Sequence, residues 1–194
     1  MPPTINNIRQ ILDKYSATYP GESIEPVRQF VNNTSVSDQL YDRKNFNGHI
    51  TASALIVDSE HRLLVILHAV FNRYLQPGGH VEKGDSTLLE GALREAREET
   101  NLHPHDLVNI PVLVGEPDMP FHIDSHEIPL NDKKIEPVHV HHDFCYVFRY
   151  KGSGAVIADL NETKGFRWIS INEMNKIGLS PEKLTNYLLG NISS

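Results

Sequence analysis

The sequence predicts an α/β (α+β) protein in which a mixed β-sheet is sandwiched between helices and preceded by an N-terminal helical extension. Three observations carry this. The apolar period changes from helical to strand-like near Gly48, and a glycine-rich loop at 76–85 runs into a strongly patterned helix. Strands and helices also intersperse without the regular strand–helix–strand rhythm of a parallel doubly wound sheet. The chain has 194 residues, enough for one catalytic-size core at about 150 residues per domain. We assign residues 1–46 to the extension and 47–194 to the domain.

Taken in order, Ile5, Ile8, Ile11, Leu12 and Tyr15 are spaced as one helical face that stops at Pro20-Gly21. A second helical piece over 26–31 is broken by Asn32, Asn33, Thr34 and Ser35. Runs at 50–57 and 63–67 flank the turn Asp58-Ser59-Glu60-His61 and predict a hairpin. The helix over 88–100 opens with Thr87 and Glu90 in capping-box spacing and closes at Asn101, a residue that tolerates the left-handed conformation. Strands are expected near 112–114, 121–128, 138–150 and 166–169, and short helices over 172–177 and 181–189. The only linker-like segment is Lys151-Gly152-Ser153-Gly154.

Composition narrows the function. Lys plus Arg number 18 against 25 Asp plus Glu, a formal charge of −7, which opposes binding to a nucleic-acid polymer or an anionic membrane. A small anionic substrate would need a metal to mask the repulsion. No apolar run approaches the roughly 20 residues of a membrane span, and Met1-Pro2-Pro3-Thr4 lacks the start of a signal peptide. A cytoplasmic location is therefore expected. One cysteine, Cys145, excludes a disulfide-stapled scaffold and a multi-cysteine zinc module.

The chemistry concentrates on the helix over 88–100. At about 100° per residue, Leu89, Ala92, Leu93 and Ala96 share an arc that is expected to be buried. Glu95 and Glu99 fall beside it and Glu98 one step further round, so three carboxylates converge on one edge. Such charges repel unless a cation sits between them, and a hard ion, Mg²⁺ or Mn²⁺, takes oxygen ligands. Glu90 with Arg94, and Arg94 with Glu98, are i, i+4 pairs on the outer side, while Gly91 leaves space for a ligand. A solvated helix laced with Glu and Arg pairs is the plainer reading. The loop Gln76-Pro77-Gly78-Gly79-His80-Val81-Glu82-Lys83-Gly84-Asp85 argues against it, since its glycines let backbone approach a ligand beside that helix.

Together, loop and helix resemble the signature of the Nudix (MutT-like) hydrolase family, G-x5-E-x7-R-E-U-x-E-E-x-G-U, with U a bulky aliphatic residue. Here it reads Gly79, Asp85, Arg94-Glu95, Ala96, Glu98-Glu99, Asn101 and Leu102. Asp85 replaces the first Glu, one extra residue separates it from Arg94, Ala96 is small, and Asn101 stands where Gly is usual. The carboxylates of the Arg-Glu-x-x-Glu-Glu core are intact. The resemblance implies a Mg²⁺- or Mn²⁺-dependent pyrophosphohydrolase acting on a nucleoside diphosphate derivative. It implies Gly79 (through its carbonyl), Glu95, Glu98 and Glu99 as metal ligands, Arg94 as the residue orienting the glutamates, and Glu95 as a candidate base. A further carboxylate before the last strand is expected at Glu162, with Asp159 and Asp143 as rivals.

Five of the 11 histidines lie in two runs, His122 and His126 around Asp124, and His139, His141 and His142 beside Asp143. Strand alternation puts His139, His141 and Asp143 on one face and Phe144, Tyr146 and Phe148 on the other. If the two strands pair, their polar stripes line one cleft. Three readings stand at this point: a polar sheet face, a substrate-lining surface that includes His139 and His141, and a transition-metal site through imidazoles. His80 follows Gly79 directly and is expected near substrate and metal, and Tyr74 and Phe71 are candidates to stack on a base.

Two other functions compete. A prenyl-diphosphate isomerase would need a suitably placed catalytic cysteine, which Cys145 does not offer. A Nudix-like nucleotide-binding or sensor module without turnover would be expected to lose the carboxylates kept here. The extension could cover the sheet, form a homodimer contact or shape substrate entry; covering is expected, because its apolar face must be buried.

Overall fold

The computed structural model describes residues 1–69, 72–131, 135–152, 156 and 163–190. Along the chain run α1 (Ile5–Thr18), α2 (Glu25–Asn33), β1 (His49–Val57), β2 (Arg62–His68), β3 (Tyr74–Leu75), β4 (Gly78–His80), α3 (Leu88–Thr100), β5 (Leu107–Asn109), β6 (His122–Ile128), β7 (His139–Tyr150), β8 (Thr163–Ser170) and α4 (Pro181–Gly190). Tight 3-10 turns occupy Ser37–Leu40, Pro104–Asp106 and Ile171–Ile177. The architecture is a mixed sheet with helices, the class expected from sequence.

The chain divides into two compact units. The first comprises Met1–Ser53, Gly78–Ala92 and Pro111–Tyr146. In it β6 pairs antiparallel with β7 in the register His126↔His141, Asp124↔Asp143 and His122↔Cys145, while β4 pairs antiparallel with β1 as Thr51↔His80 and Ala52↔Gly79. Directly paired residues share a face. The polar stripes of β6 and β7 therefore do lie side by side.

The extension packs within this unit. Thr4 caps α1 in a reciprocal capping box with Asn7. Ile8, Leu12, Tyr15, Val27 and Val31 are fully buried, whereas Ile5 and Ile11 are only partly so. Tyr15 donates its hydroxyl hydrogen to Glu22 and accepts the Ile123 N–H of β6 at 3.2 Å. Burial together with Glu22 pushes the phenol pKa well up, so it stays a donor. Phe30 of α2 stacks on His142 at 4.6 Å between ring centroids.

The second unit comprises Ala54–Pro77, Leu93–Ile110 and Val147–Ser194. Here β8 pairs antiparallel with β2 from Arg62↔Ser170 to Ile66↔Phe166, β3 pairs with β2, and β5 pairs with the end of β7. Tyr187 of α4 donates to the Ile110 carbonyl.

Two expectations are corrected. Residues 112–114 form no strand: Leu113 bridges Glu116 across a tight turn containing Gly115, and Val114 is fully exposed. The strand of this region is β5, which finds a partner in β7 as residues 112–114 do not. The glycine-rich segment 76–85 is also not all loop, since it contains β4.

Tyr15→Phe should lower unfolding free energy by about 1–3 kcal/mol, because the ring is kept while the acceptor for a buried N–H is removed. Urea denaturation of the full chain measures it, and an unchanged midpoint would rule out a tie between α1 and β6 through the hydroxyl.

Candidate active site and a histidine cluster

Helix α3 is placed by its own ends. Thr87 accepts the Glu90 N–H at 3.1 Å, and the Glu90 carboxylate accepts the Ser86 N–H at 2.6 Å, one residue before the expected capping-box partner. At the other end Asn101 adopts φ 53°, and its N–H reaches the Arg97 carbonyl at 2.7 Å. Glu90 is thus a capping residue of the first turn.

Which face is buried differs from the expected arc. Leu88, Gly91, Ala92, Glu95, Ala96, Glu99 and Thr100 are buried, while Leu89 and Leu93 are half-buried. The shift carries the carboxylate edge inward: Glu99 is 3% exposed and Glu95 9%, with Glu98 open to solvent. Arg94 lies against this edge. Its guanidinium donates to Glu95 at 2.8 Å and to Glu98 at 3.0 Å, so one cation holds two of the three carboxylates.

The space over Gly91 is not open for a ligand. A Cβ there would meet Asp85 Oδ2 at 3.2 Å, and that carboxylate accepts the Glu82 N–H at 2.8 Å. Asp85, the residue that replaces the first signature Glu, thus closes a turn of the loop and packs against Gly91. Gly78 has a stronger requirement. A Cβ would stand 2.5 Å from Ser53 Cβ and 2.9 Å from the Ala52 carbonyl oxygen, so only glycine lets β4 lie on β1.

The polar face of the first unit gathers more histidines than the sequence suggested. His49, at the start of β1, is fully buried and contacts three other imidazoles, with centroids 4.5 Å from His141, 4.9 Å from His80 and 5.1 Å from His139. His80 Nε2 approaches His49 Nε2 at 3.1 Å, and His139 Nε2 approaches His141 Nε2 at 3.2 Å. Burial lowers the pKa of His49; burial and the surrounding histidines push His141 down to about 2. Both rings are therefore neutral near pH 7. Next to them Asp143 accepts hydrogen bonds from Thr51 at 2.9 Å and Ser53 at 2.5 Å, and burial raises its carboxyl pKa. Asp143 is thereby a buried partner of β1 hydroxyls.

The remaining expected site residues are distributed as follows. Tyr74 in β3 has the Arg167 guanidinium 3.9 Å from its ring centre, so one ring face is already engaged by a cation. Gly79 lies in β4 opposite Ala52. Glu162, Asp159 and Phe71 lie outside the described residues. His49 escaped the sequence reading. Strand alternation aligns it with Thr51 and Ser53, but only the pairing of distant strands brings it to His139 and His141.

With the fold and the geometry of α3 described, comparison with known proteins places the chain. The NUDIX domain profile matches residues 48–188, and the chain belongs to this family. Among solved structures it is similar to an Ap4A hydrolase of C. elegans in a binary complex, with 14% identity, TM-score 0.54, and coverage of 73% of this chain and 98% of that one. It is also similar to the dihydroneopterin triphosphate pyrophosphohydrolase of E. coli, with 14% identity, TM-score 0.52, and coverage of 75% and 96%. No curated protein sequence matches. Among the described residues no helix is long and apolar enough to cross a membrane.

Gly78→Ala should destabilise the fold by about 1–3 kcal/mol, because the clash is with backbone that cannot move aside. Gly84→Ala, with nothing within 4 Å of the added Cβ, should be neutral or stabilise by up to about 1 kcal/mol. Thermal melts of the two variants make the comparison, and equal melting temperatures would contradict it.

Proposed function

We propose that this chain is a divalent-metal-dependent pyrophosphohydrolase that cleaves a diphosphate linkage in a nucleoside diphosphate derivative. The carrying observation is the acidic edge of α3. Two buried carboxylates, Glu95 and Glu99, sit one helical turn apart with Glu98 beside them, and Arg94 bonds two of the three. Buried charge of one sign is costly unless compensated. An all-oxygen donor set of this kind fits a hard ion, Mg²⁺ or Mn²⁺.

Glu95, Glu98 and Glu99 would hold the ion, and the family resemblance adds the Gly79 carbonyl and Glu162. When bound, the ion supplies neutralisation of phosphate oxygens and polarisation at phosphorus. Arg94 keeps the Glu95 and Glu98 carboxylates in one orientation, so little reorganisation is needed at the moment of reaction. The attacking water gives up a proton to a carboxylate of this edge, for which Glu95 is the candidate, and its oxygen forms the new P–O bond while the bridging P–O bond breaks and its electron pair leaves with the departing phosphate or phosphate ester. The names of the two similar structures point to substrates with phosphoanhydride links, so Ap4A and a pterin triphosphate belong in the test panel beside nucleoside triphosphates, nucleotide sugars and ADP-ribose.

With Mg²⁺ or Mn²⁺, at least one member of that panel should release phosphate, pyrophosphate or a nucleotide. Chelation should abolish the release and added Mg²⁺ restore it. Glu95→Gln, Glu98→Gln and Glu99→Gln should each lower turnover by about 10²-fold, or about 3 kcal/mol. Glu90→Gln keeps the acceptor that caps α3 and should leave turnover unchanged. Tight nucleotide binding by calorimetry with no turnover on any substrate would replace the enzyme reading with that of a binding module.

A further inference from the structure

We propose that His49, His139 and His141, with His80 at their edge, form a binding site for a borderline first-row transition ion of the Zn²⁺ type. One ligand nitrogen from each of His49, His139 and His141 lies within 4.8 Å of the others. Two nitrogens each about 2.0–2.1 Å from a tetrahedral ion stand roughly 3.3 Å apart, close to the 3.2 Å between the Nε2 atoms of His139 and His141. Imidazole donors select Zn²⁺, Cu²⁺, Ni²⁺ or Fe²⁺ over Mg²⁺.

The tautomers agree with this reading. A carbonyl can only accept, so the 2.8 Å contact from His139 Nδ1 to the Pro137 oxygen fixes the proton on Nδ1. His49 Nδ1 likewise faces a carbonyl oxygen, that of Asn45, at a longer 3.5 Å that favours the same tautomer. Both rings therefore aim an Nε2 lone pair into the group, with the other nitrogen held by backbone as metal-binding histidines commonly are. Without an ion, His141 and His80 must carry the Nε2 protons that make the two short contacts hydrogen bonds. With an ion, His141 moves its proton to Nδ1 and offers Nε2 as the third ligand.

The ligands come from β1 and β7, about 90 residues apart in the chain, and His80 from β4, so an ion would join three strands of the first unit. His126 borders the group with its ring 5.9 Å from His141, and its Nδ1 meets Asp124 at 2.8 Å. The proposal is independent of the α3 glutamates, and its test does not use catalysis.

The untagged full chain, stripped with a chelator and dialysed, is titrated with Zn²⁺ by calorimetry, with bound metal counted by elemental analysis. With excess Mg²⁺ present to occupy the oxygen donors of α3, one Zn²⁺ per chain should bind, raise the melting temperature and persist in Glu98→Gln. Under the same conditions the double variant His49→Ala/His139→Ala should bind none. His141→Gln, included in case the double variant does not fold, should bind more than about 100-fold more weakly, beyond the usual cost of losing an outer partner. His80→Ala should weaken binding by about 10-fold, and His103→Ala/His105→Ala, a pair stacked on each other in the second unit, should have no effect. The proposal is overturned if wild type retains no Zn²⁺, if the histidine variants bind as wild type does, or if Glu98→Gln rather than His141→Gln loses the ion.

Discussion

Strand β1 is buried at every residue from His49 to Val57, yet its first half carries polar side chains on alternate positions. Burying an unsatisfied hydroxyl or imidazole costs kilocalories, so each of these groups needs a partner. Thr51 and Ser53 find one in Asp143, and His49 in the Asn45 carbonyl and the ring of His80. The rest of the first unit follows from this requirement. β7 must present Asp143 toward β1, β4 must come close enough to bring His80, and Gly78 must lack a side chain for that approach. The extension closes the same unit, with Phe30 against His142 and Tyr15 tied to Ile123.

The two groups of candidate ligands differ in chemical hardness. Three carboxylates on α3 suit an ion that prefers oxygen and keeps much of its own water. Neutral imidazoles on β1 and β7 suit an ion with a stronger preference for nitrogen. A chain with both sets would sort two metals by donor type, and removing one carboxylate should leave the imidazole set intact. Their electrostatic surroundings differ accordingly: Arg94 pairs with Glu95 and Glu98 on the acidic edge, whereas burial keeps His49 and His141 neutral, with no charge of their own to balance.

What the sequence made legible was local. Thr87, Glu90 and Asn101 fix the ends of α3 within a few residues, so the helix and its three carboxylates could be placed before any tertiary contact was known. Alternation in β6 and β7 likewise gave the two polar stripes. Contacts that depend on strands far apart in the chain were not legible. His49 joins His139 only through sheet pairing, and no local pattern announces it. Val112, Leu113 and Val114 have strand-like side chains, but a turn at Gly115 and the want of a pairing partner outweighed that propensity. The burial of Glu95 and Glu99 was also hidden, because helical periodicity ranks carboxylates as outward and only packing turned this edge in.

The tie between the first two helices and the rest of the first unit bears on how this protein could be shortened. The family match begins at residue 48, and trimming to it would remove Ile8, Leu12, Tyr15, Val27 and Val31, all fully buried in the whole chain. The apolar neighbours of these side chains in the first unit would then meet water, a form of surface that drives self-association. A chain cut back to the recognisable match would therefore lose part of the first unit's own interior.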